Sequence, residues 1–330
     1  MKGTSRLFAI LAALAAALFI TSLLIGPAAI PPLESLRALF VDDAGPMTLV
    51  MREIRLPRAL LALLIGASLG LSGAAMQGYL RNPLADPGLI GVSGTAALGA
   101  VLAIHTGLAA SFAFGLPLAA LAGALIGVFL VLGLAGPRGS SLTLILAGIA
   151  ISALAAALTS LVLNLSPNPY AANEIVFWMM GSLADRSMVH MWIALPLIVL
   201  GAGLLMRLSR GLDALTLGED AAQAMGINLT HLRLMLVLGT ASAVGASTAV
   251  AGAIGFVGLV VPHLLRPLVG ARPGRLLWAS GFGGAIMLLA ADIAVRLILP
   301  ERDLKLGVLT ALVGAPFFLH LIHRTRRDRA

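Results

Sequence analysis

Long apolar segments separated by short polar ones cover almost the whole chain, and this alternation predicts a bundle of membrane-spanning helices. A helix needs about 20 predominantly apolar residues to cross a bilayer, and ten segments reach or approach that length. The predicted spans lie at 7–26, 58–78, 90–110, 115–135, 142–163, 190–208, 233–252, 254–270, 276–297 and 307–323. Glycine and proline shorten or interrupt the third, eighth and tenth of these segments.

The composition supports the same fold class. Of the 330 residues, 59% are hydrophobic and 11% are charged, and the mean hydropathy is +1.02. A soluble domain of this size needs more polar surface, so we predict an all-α polytopic membrane protein with a single domain, residues 1–330, and no nucleic-acid partner. The absence of cysteine excludes disulfides and thiolate chemistry.

The distribution of charge predicts the orientation of the helices. If the N-terminus lies inside, the cytoplasmic segments hold 14 Lys/Arg against 5 Asp/Glu, and the outer segments hold 8 of each. One further carboxylate, Asp292, lies within a span, so all 22 basic and 14 acidic residues are assigned. Because cytoplasmic loops carry an excess of Lys and Arg, we predict that both termini face the cytoplasm.

The longest polar interval in the C-terminal two-thirds runs from Leu212 to Arg233. Its residue order predicts two short helices joined by a tight turn, the first over 214–217 with Asp213 as its cap. Gly218 ends this helix, and the second one follows. Asn228 or Thr230 can cap the next span. We therefore predict that this 212–232 loop is a docking site for a soluble partner. The alternative is a solvated loop between two spans.

The second short helix of the 212–232 loop has acidic residues in its first turn, where the helix dipole favours anions. Ala221, Ala222 and Met225 are expected to form a small apolar face. The residues predicted to carry the docking function are Leu217, Gly218, Glu219, Asp220, Ala221, Ala222, Met225 and Gly226.

Two segments, 82–91 and 252–262, have the glycine and proline content of broken helices. Each follows a span rich in small residues, and the two spans run in opposite directions in the predicted topology. We infer two inverted four-helix halves, spans 2–5 and 7–10, with spans 1 and 6 as additions. The spacing Gly66-x-x-x-Gly70 further predicts close packing between helices.

The sequence shows no catalytic constellation, since it lacks a P-loop and HExxH. Asp292 and Arg296 share one helical face and are predicted to neutralise each other, with a proton relay as the alternative. His263 is predicted to be a structural histidine. Arg55, Arg58 and Arg296 place three cations at the outer face, either as interfacial anchors or as a docking site for an acidic protein.

Seven motifs closely resemble those of the permeases of type II ABC importers, a family that takes up ferric siderophores, haem and cobalamin. In chain order they are Arg55-Leu-Pro-Arg58, Ser72-Gly-Ala-Ala-Met-Gln77, Asn82-Pro-Leu-Ala-Asp-Pro-Gly88, Leu146-Ala-Gly148, Phe177-Trp-Met-Met-Gly-Ser182, Gly252-Ala-Ile-Gly-Phe-Val-Gly-Leu-Val-Val-Pro-His-Leu-Leu-Arg266 and Leu289-Ala-Ala-Asp-Ile-Ala-Val-Arg296. The resemblance covers residues 50–320. One departure is Arg302-Asp-Leu-Lys-Leu-Gly307, where relatives tend to have an acidic residue and a proline before the glycine.

The resemblance implies ten spans per subunit and a homodimer with the pathway on its two-fold axis, in the bacterial inner membrane. It implies two cytoplasmic ATPase subunits, which bind the ATP and Mg, and a periplasmic binding protein. The chain itself would then bind no cofactor or metal and would not be an enzyme.

Individual residues acquire roles through the same resemblance. The 212–232 loop would form the coupling helices that insert into the ATPase. Arg55, Arg58 and Arg296 would pair with acidic residues of the binding protein. The cytoplasmic gate, at the start of the pathway-lining span 5, would consist of Ser140, Ser141 and Leu142.

The outer segment between spans 5 and 6 bears on the substrate. Met179, Met180, Arg186 and His190 would form a substrate mouth that offers soft metal ligands and a cation for the propionates of haem. Haem is therefore the predicted substrate, and the chain most resembles the haem importer permeases. A ferric siderophore and cobalamin are the alternatives, because methionine also fills irregular gaps between helices. An ion-coupled secondary transporter is the competing class.

Overall fold

The computed structural model describes residues 2–28, 30–41, 45–136, 140–166, 168–298 and 304–327. Within these ranges the backbone forms helices and their connections and no strand. Seven of the described helices are long and apolar enough to cross a membrane. The predicted all-α membrane fold is therefore confirmed. Two residues of the segment that departs from the family pattern, Arg302 and Asp303, lie outside the described residues.

The described helices are numbered in chain order. They are α1 (Lys2–Leu24), α2 (Pro32–Ala38), α3 (Pro46–Leu49), α4 (Leu56–Tyr79), α5 (Val92–His105), α6 (Leu108–Ser111), α7 (Gly115–Ala135), α8 (Ser141–Asn164), α9 (Pro169–Met179), α10 (Met188–Arg207), α11 (Ser209–Leu215), α12 (Glu219–Ala224), α13 (Leu229–Ala251), α14 (Val257–Leu265), α15 (Pro273–Ile298) and α16 (Leu306–Arg327). A π-helical segment, Val50–Arg55, joins α3 to α4.

Long helices correspond to predicted spans 1, 2, 4, 5, 6, 7 and 9, and α7 has the predicted limits of span 4. The predicted lengths of the third and eighth spans are wrong, because α5 has 14 residues and α14 has nine. The helix α5 starts two residues and α14 three residues after the predicted span begins, and each ends five residues before the predicted span ends.

The irregular backbone before α5 and α14 confirms the two predicted broken helices. Before α5, the Asp86 carboxylate accepts a hydrogen bond from the Gly88 N–H at 2.8 Å, and Gly91 has a φ of +80°. Before α14, Gly252 has a φ of +74° and Phe256 a φ of +68°. Left-handed backbone cannot continue an α-helix, so each helix starts only after the last of these residues.

The sequence analysis did not predict α9. Its local signals are nevertheless present: Pro169 occupies the first helical turn, and the Asn168 side chain accepts a hydrogen bond from the Tyr170 N–H at 2.9 Å. Both features are typical of a helix start. When only span length is considered, this segment is predicted to be a loop.

The closest packing in the bundle joins α4 to α15. A Cβ atom on Gly70 would lie 1.9 Å from the Ser280 carbonyl oxygen, and one on Gly66 would lie 2.3 Å from that of Gly284. Only glycine permits backbones to approach this closely. Since rising numbers on α4 meet falling numbers on α15, the two helices are antiparallel.

The contacts between helices repeat in the two predicted halves. The first helix of one half, α4, packs against α14 and α15 of the other half. The first helix of that other half, α13, packs against α5 and α7. In each half, the helix of the broken span and the helix of the following span pack against the first helix of the other half.

We expect Gly70→Ala to destabilise the protein by about 1–3 kcal/mol, because the new methyl group must push α15 away from α4. Thermal unfolding in detergent measures the effect. Gly133→Ala on α7 is the matched control, because nothing lies within 4 Å of its added Cβ. Equal melting temperatures for the two variants would show that α4 and α15 are not in backbone contact.

Candidate functional site

The two short helices predicted for the 212–232 loop are present, although the first spans Ser209–Leu215 rather than 214–217. They are α11 and α12, and the turn between them passes through Gly218, which has a φ of +106°. Gly226 ends the second helix with a φ of +82°, and the Asn228 side chain accepts a hydrogen bond from the His231 N–H at 2.9 Å. Of the two predicted caps of α13, the structure therefore uses Asn228.

The predicted role of Asp213 is wrong. The first helix begins at Ser209, so Asp213 lies within it and cannot cap it. Its carboxylate instead accepts a hydrogen bond from the Gly274 N–H at 2.8 Å, in the first turn of α15. A carboxylate at this position satisfies a free backbone N–H and interacts favourably with the helix dipole.

Glycine at position 274 makes this contact possible. A Cβ atom there would lie 2.3 Å from the Ser209 hydroxyl oxygen and 2.9 Å from a carboxylate oxygen of Asp213. Leu212, which is fully buried, packs against Gly78 near the end of α4. The loop is consequently fixed to both helices of the closest packed pair.

The exposed surface of the loop differs from the predicted apolar face. Ala222 is fully buried in the core, so it does not share an exposed face with Met225. The large apolar side chains that face outwards are Leu217 and Met225, which are 69% and 53% exposed. Glu219 and Asp220 are exposed beside them. The exposed surface of the 212–232 loop thus combines apolar and acidic side chains. It does not belong to any of the long apolar helices.

The predicted gate residues lie close to this loop. Ser140 caps α8, because its hydroxyl accepts a hydrogen bond from the Thr143 N–H at 3.2 Å. The side chain of Ser141 interacts with the hydroxyl of Tyr79 at the end of α4, and Glu219 lies within electrostatic range of the same hydroxyl. Leu142 is largely exposed. The gate function of these three residues stays a prediction.

At the opposite end of α4 and α15, Asp292 is fully buried between two arginines. The Arg58 Nε lies 2.8 Å from one carboxylate oxygen, and an Arg296 Nη lies 2.9 Å from the other. Arg296 also donates hydrogen bonds to the carbonyl oxygens of Ser22 and Ile25. The predicted Asp292–Arg296 pair is present, with Arg58 as a second partner.

Arg55 holds the same end of α1. Its guanidinium donates to the carbonyl oxygens of Leu23 and Leu24 at 3.1 and 3.0 Å, and also to that of Ala28. These carbonyls belong to the last turn of α1 and the chain beyond it, where no further helical donor is available. Arg55 is buried, and the side chains of Arg296 and Arg58 are 7% and 18% exposed. Docking through these residues stays a prediction, and Arg58 is the most accessible of the three.

Of the four residues of the predicted substrate mouth, two line a common cavity, and the mouth itself stays a prediction. Met179 and Met180 line a cavity of about 510 Å³ that also borders Ala253 and α16. Arg186 and His190 are not part of its lining. The His190 Nδ1 lies 3.2 Å from the Ser187 N–H, so the ring takes part in the start of α10.

The described residues contain no group of three or more His, Asp or Glu side chains that could hold a metal ion. His263 packs edge-on against the Phe317 ring, with centroids 5.9 Å apart. These contacts are compatible with the structural role predicted for His263.

A buried polar contact that the sequence analysis did not predict joins α4 to the end of α14. The Gln77 side chain is fully buried, donates to the Leu259 carbonyl oxygen at 3.2 Å and accepts from an Arg266 Nη at 2.8 Å. The sequence signal for this contact is the lone amide of Gln77 within an apolar span, since buried amides require partners. The contact holds the short α14 against α4.

We expect Asp213→Ala to lower the stability of the first turn of α15 by about 0.5–2 kcal/mol, since the Gly274 N–H loses its acceptor. Hydrogen exchange of peptides covering residues 270–277 measures this change. Asp213→Asn retains an acceptor and should preserve most of the protection, and Asp220→Ala is the exposed control. Unchanged exchange in Asp213→Ala would mean that the hydrogen bond does not hold the loop to α15.

The chain matches characterised proteins over almost its whole length. Residues 14–324 match the FecCD transport family. The vitamin B12 import system permease protein BtuC of Salmonella paratyphi A is 41% identical over 276 residues, which cover 83% of this chain and 84% of that protein. The Fe(3+) dicitrate transport system permease protein FecD of Escherichia coli K12 is 40% identical over 277 residues, covering 84% of this chain and 86% of FecD.

A solved structure supports the same relationship. An inward-facing metal-chelate type ABC transporter superposes with a TM-score of 0.86 and 34% identity, covering 97% of this chain and 99% of the other. The fold, the ordered motifs and the sequence matches agree. The chain belongs to the FecCD transport family of ABC importer permeases.

Proposed function

We propose that this protein is the permease subunit of an ATP-driven importer that moves a metal chelate inward across the bacterial inner membrane. The observation that carries the proposal is the 212–232 loop, which exposes Leu217 and Met225 and is fixed by Asp213 to α15. Such a loop can receive movement from a soluble partner and pass it to the bundle. The family membership identifies an ATPase as the partner.

We propose ten spans with both termini in the cytoplasm. The seven long helices account for seven spans, and α5, α14 and α16 for the other three. A short helix can complete a crossing when the irregular backbone before it is buried in protein. The repeated contacts of α4 and α13 support two inverted halves, and the excess of basic residues at the ends facing the 212–232 loop supports the orientation.

The proposed assembly is a homodimer of this chain with two cytoplasmic ATPase subunits and a periplasmic binding protein. ATP and Mg belong to the ATPase subunits, and this chain performs no chemistry. Its exposed loop would dock the ATPase, and Ser140, Ser141 and Leu142 would form the gate. Because Ser141 interacts with the Tyr79 hydroxyl and Glu219 lies within electrostatic range of it, Tyr79 would connect a movement of α12 to the start of α8.

The binding protein would dock at the outer end, where Arg58 is partly exposed. Arg55 and Arg296 hold the end of α1 and Asp292, so their contribution to docking would require their side chains to exchange partners. Electrostatic contacts of this kind influence the rate of association and the register more than the packing.

Haem is the proposed substrate. Met179 and Met180 line a cavity large enough for part of a flat apolar ring, and thioether sulfur is a ligand that haem iron accepts. The Nδ1 of His190 is engaged by Ser187, so its Nε2 is the atom that would remain as a metal ligand. Cobalamin and a ferric chelate are supported by the names of the relatives BtuC and FecD. All three compounds share the proposed architecture.

The test is uptake into proteoliposomes that contain this permease with its ATPase and binding protein. Each chelate is offered separately, and haem should accumulate only with ATP and the binding protein present. Uptake of cobalamin or a ferric siderophore with none of haem would contradict the haem proposal and retain the importer. No ATP-dependent uptake of any chelate by an assembled complex would contradict the importer itself.

The same assay examines docking. Arg58→Gln should raise the concentration of binding protein needed for half-maximal uptake, whereas Arg37→Gln, an exposed arginine on α2, should leave it unchanged. If Arg58→Gln and Arg37→Gln need the same concentration of binding protein for half-maximal uptake, the role of Arg58 is purely structural.

We expect Leu217→Glu combined with Met225→Glu to weaken assembly with the ATPase roughly tenfold, since exposed apolar anchors dominate such interfaces. Uptake should fall while the melting temperature of the isolated permease stays unchanged. Gln223→Glu is the matched control, because it adds a carboxylate at an exposed position of the same loop. Normal uptake in the double variant would exclude these side chains from the ATPase contact.

A further inference from the structure

An apolar groove lies between α1, α4, α10 and α15, away from the loop and the cavity described above. It encloses about 580 Å³, a volume typical of ligand pockets. None of its lining residues is charged, and they include Ala16, Ile20, Leu63, Met206, Trp278 and Phe282. Ile20 and Trp278 are nearly half exposed, so the groove opens towards the outside of the subunit.

The end of the groove that faces the 212–232 loop is surrounded by arginines. Arg6 lies on α1, Arg207 directly follows Met206 on α10, and Arg275 lies one turn before Trp278 on α15. Arg6 and Arg207 are exposed. Three of the four helices that form the groove thus each place one cation at the same end.

The level of Arg275 is fixed by a contact across the groove. One of its Nη atoms lies 3.4 Å from the Thr4 hydroxyl, so the first turn of α1 and the first turns of α15 meet there. The neighbouring carboxylate of Asp213, which accepts a hydrogen bond from the Gly274 N–H, supplies one negative charge against these three arginines. The basic end therefore retains an excess of positive charge.

We propose that this groove binds an anionic phospholipid of the cytoplasmic leaflet, with an acyl chain along the groove and its phosphate at Arg6, Arg207 and Arg275. The proposal rests on the orientation given under the proposed function. The lining from Ala12 to Ile20 extends about 12 Å along α1, which suits a chain rather than a compact ligand. Basic pockets between helices on the cytoplasmic side are suited to lipid phosphate.

A second copy of this chain fits the groove less well. Two-fold packing through the same surface would place the arginines of both copies at one level, where they repel each other. A phospholipid instead supplies the negative charge and the apolar chain in one molecule. The charge therefore decides in favour of the lipid.

Fluorescence of Trp278 tests the proposal. The chain has three tryptophans, so Trp178→Phe with Trp192→Phe leaves Trp278 as the single reporter beside the groove. Brominated phosphatidylglycerol is titrated against this protein in detergent, and quenching reports occupancy. We expect phosphatidylglycerol to quench at a lower concentration than brominated phosphatidylcholine.

Two sets of variants separate the groove from the arginines. Ala16→Phe fills the groove and should weaken quenching by phosphatidylglycerol about fivefold or more, whereas Ala17→Phe, exposed on the same helix and outside the lining, should not. Arg6→Gln with Arg207→Gln and Arg275→Gln should remove the preference over phosphatidylcholine, since each surface arginine contributes a factor of about five. Native mass spectrometry of the tryptophan-containing protein reads the same occupancy should the reporter protein not fold.

Equal quenching in Ala16→Phe and Ala17→Phe would overturn the proposal. Equal quenching by the two lipids would also overturn it. A change of oligomeric state in Ala16→Phe with an unaltered lipid preference would overturn it too, because it would identify a second copy as the occupant. The titration requires neither ATPase nor chelate. A failure of the importer proposal and a failure of the lipid proposal are therefore distinguishable.

Discussion

The backbone contact between α4 and α15 positions both ends of the protein. Gly66, Gly70 and Gly284 let the two helices touch without intervening side chains, and van der Waals contact of this kind is the main attraction available between helices in lipid. At one end the pair carries the Asp213 hydrogen bond and the buried Leu212. At the other end it carries Asp292 and its two arginines. A displacement of the loop thus affects the opposite end of the pair unless the helices bend.

The charges within the bundle are consistent with transport driven from outside the chain. Asp292 is the carboxylate that an ion-coupled carrier would use, and two arginines neutralise it at 2.8 and 2.9 Å. Both oxygens of this carboxylate are engaged in ion pairs. Under the proposed function, the energy would come instead as movement that the exposed loop receives from an ATPase.

The sequence was sufficient for the features that depend on local patterns. Apolar length located the seven long helices, and glycine and proline located the irregular backbone before α5 and α14. Features that depend on distant partners were not accessible. Asp213 has the local appearance of a cap, yet its partner Gly274 lies 61 residues away. Arg55 has the appearance of a surface anchor, yet it holds carbonyls of α1 that precede it by up to 32 residues.

The candidate site illustrates the same limit. The two-helix form of the 212–232 loop followed from its glycines and caps, but the burial of Ala222 depends on how α12 packs. The substrate mouth stays a prediction, because only Met179 and Met180 line a common cavity and His190 contacts Ser187 at the start of its own helix.

The most direct test of the account is photo-cross-linking from the loop to the ATPase. A photoreactive phenylalanine derivative is placed at position 217 or 225, and separately at position 33, where Leu33 is exposed on α2 at the opposite end. The account predicts cross-links to the ATPase from positions 217 and 225 and none from position 33. An assembled complex that cross-links the ATPase from position 33, or from none of the three, would contradict it.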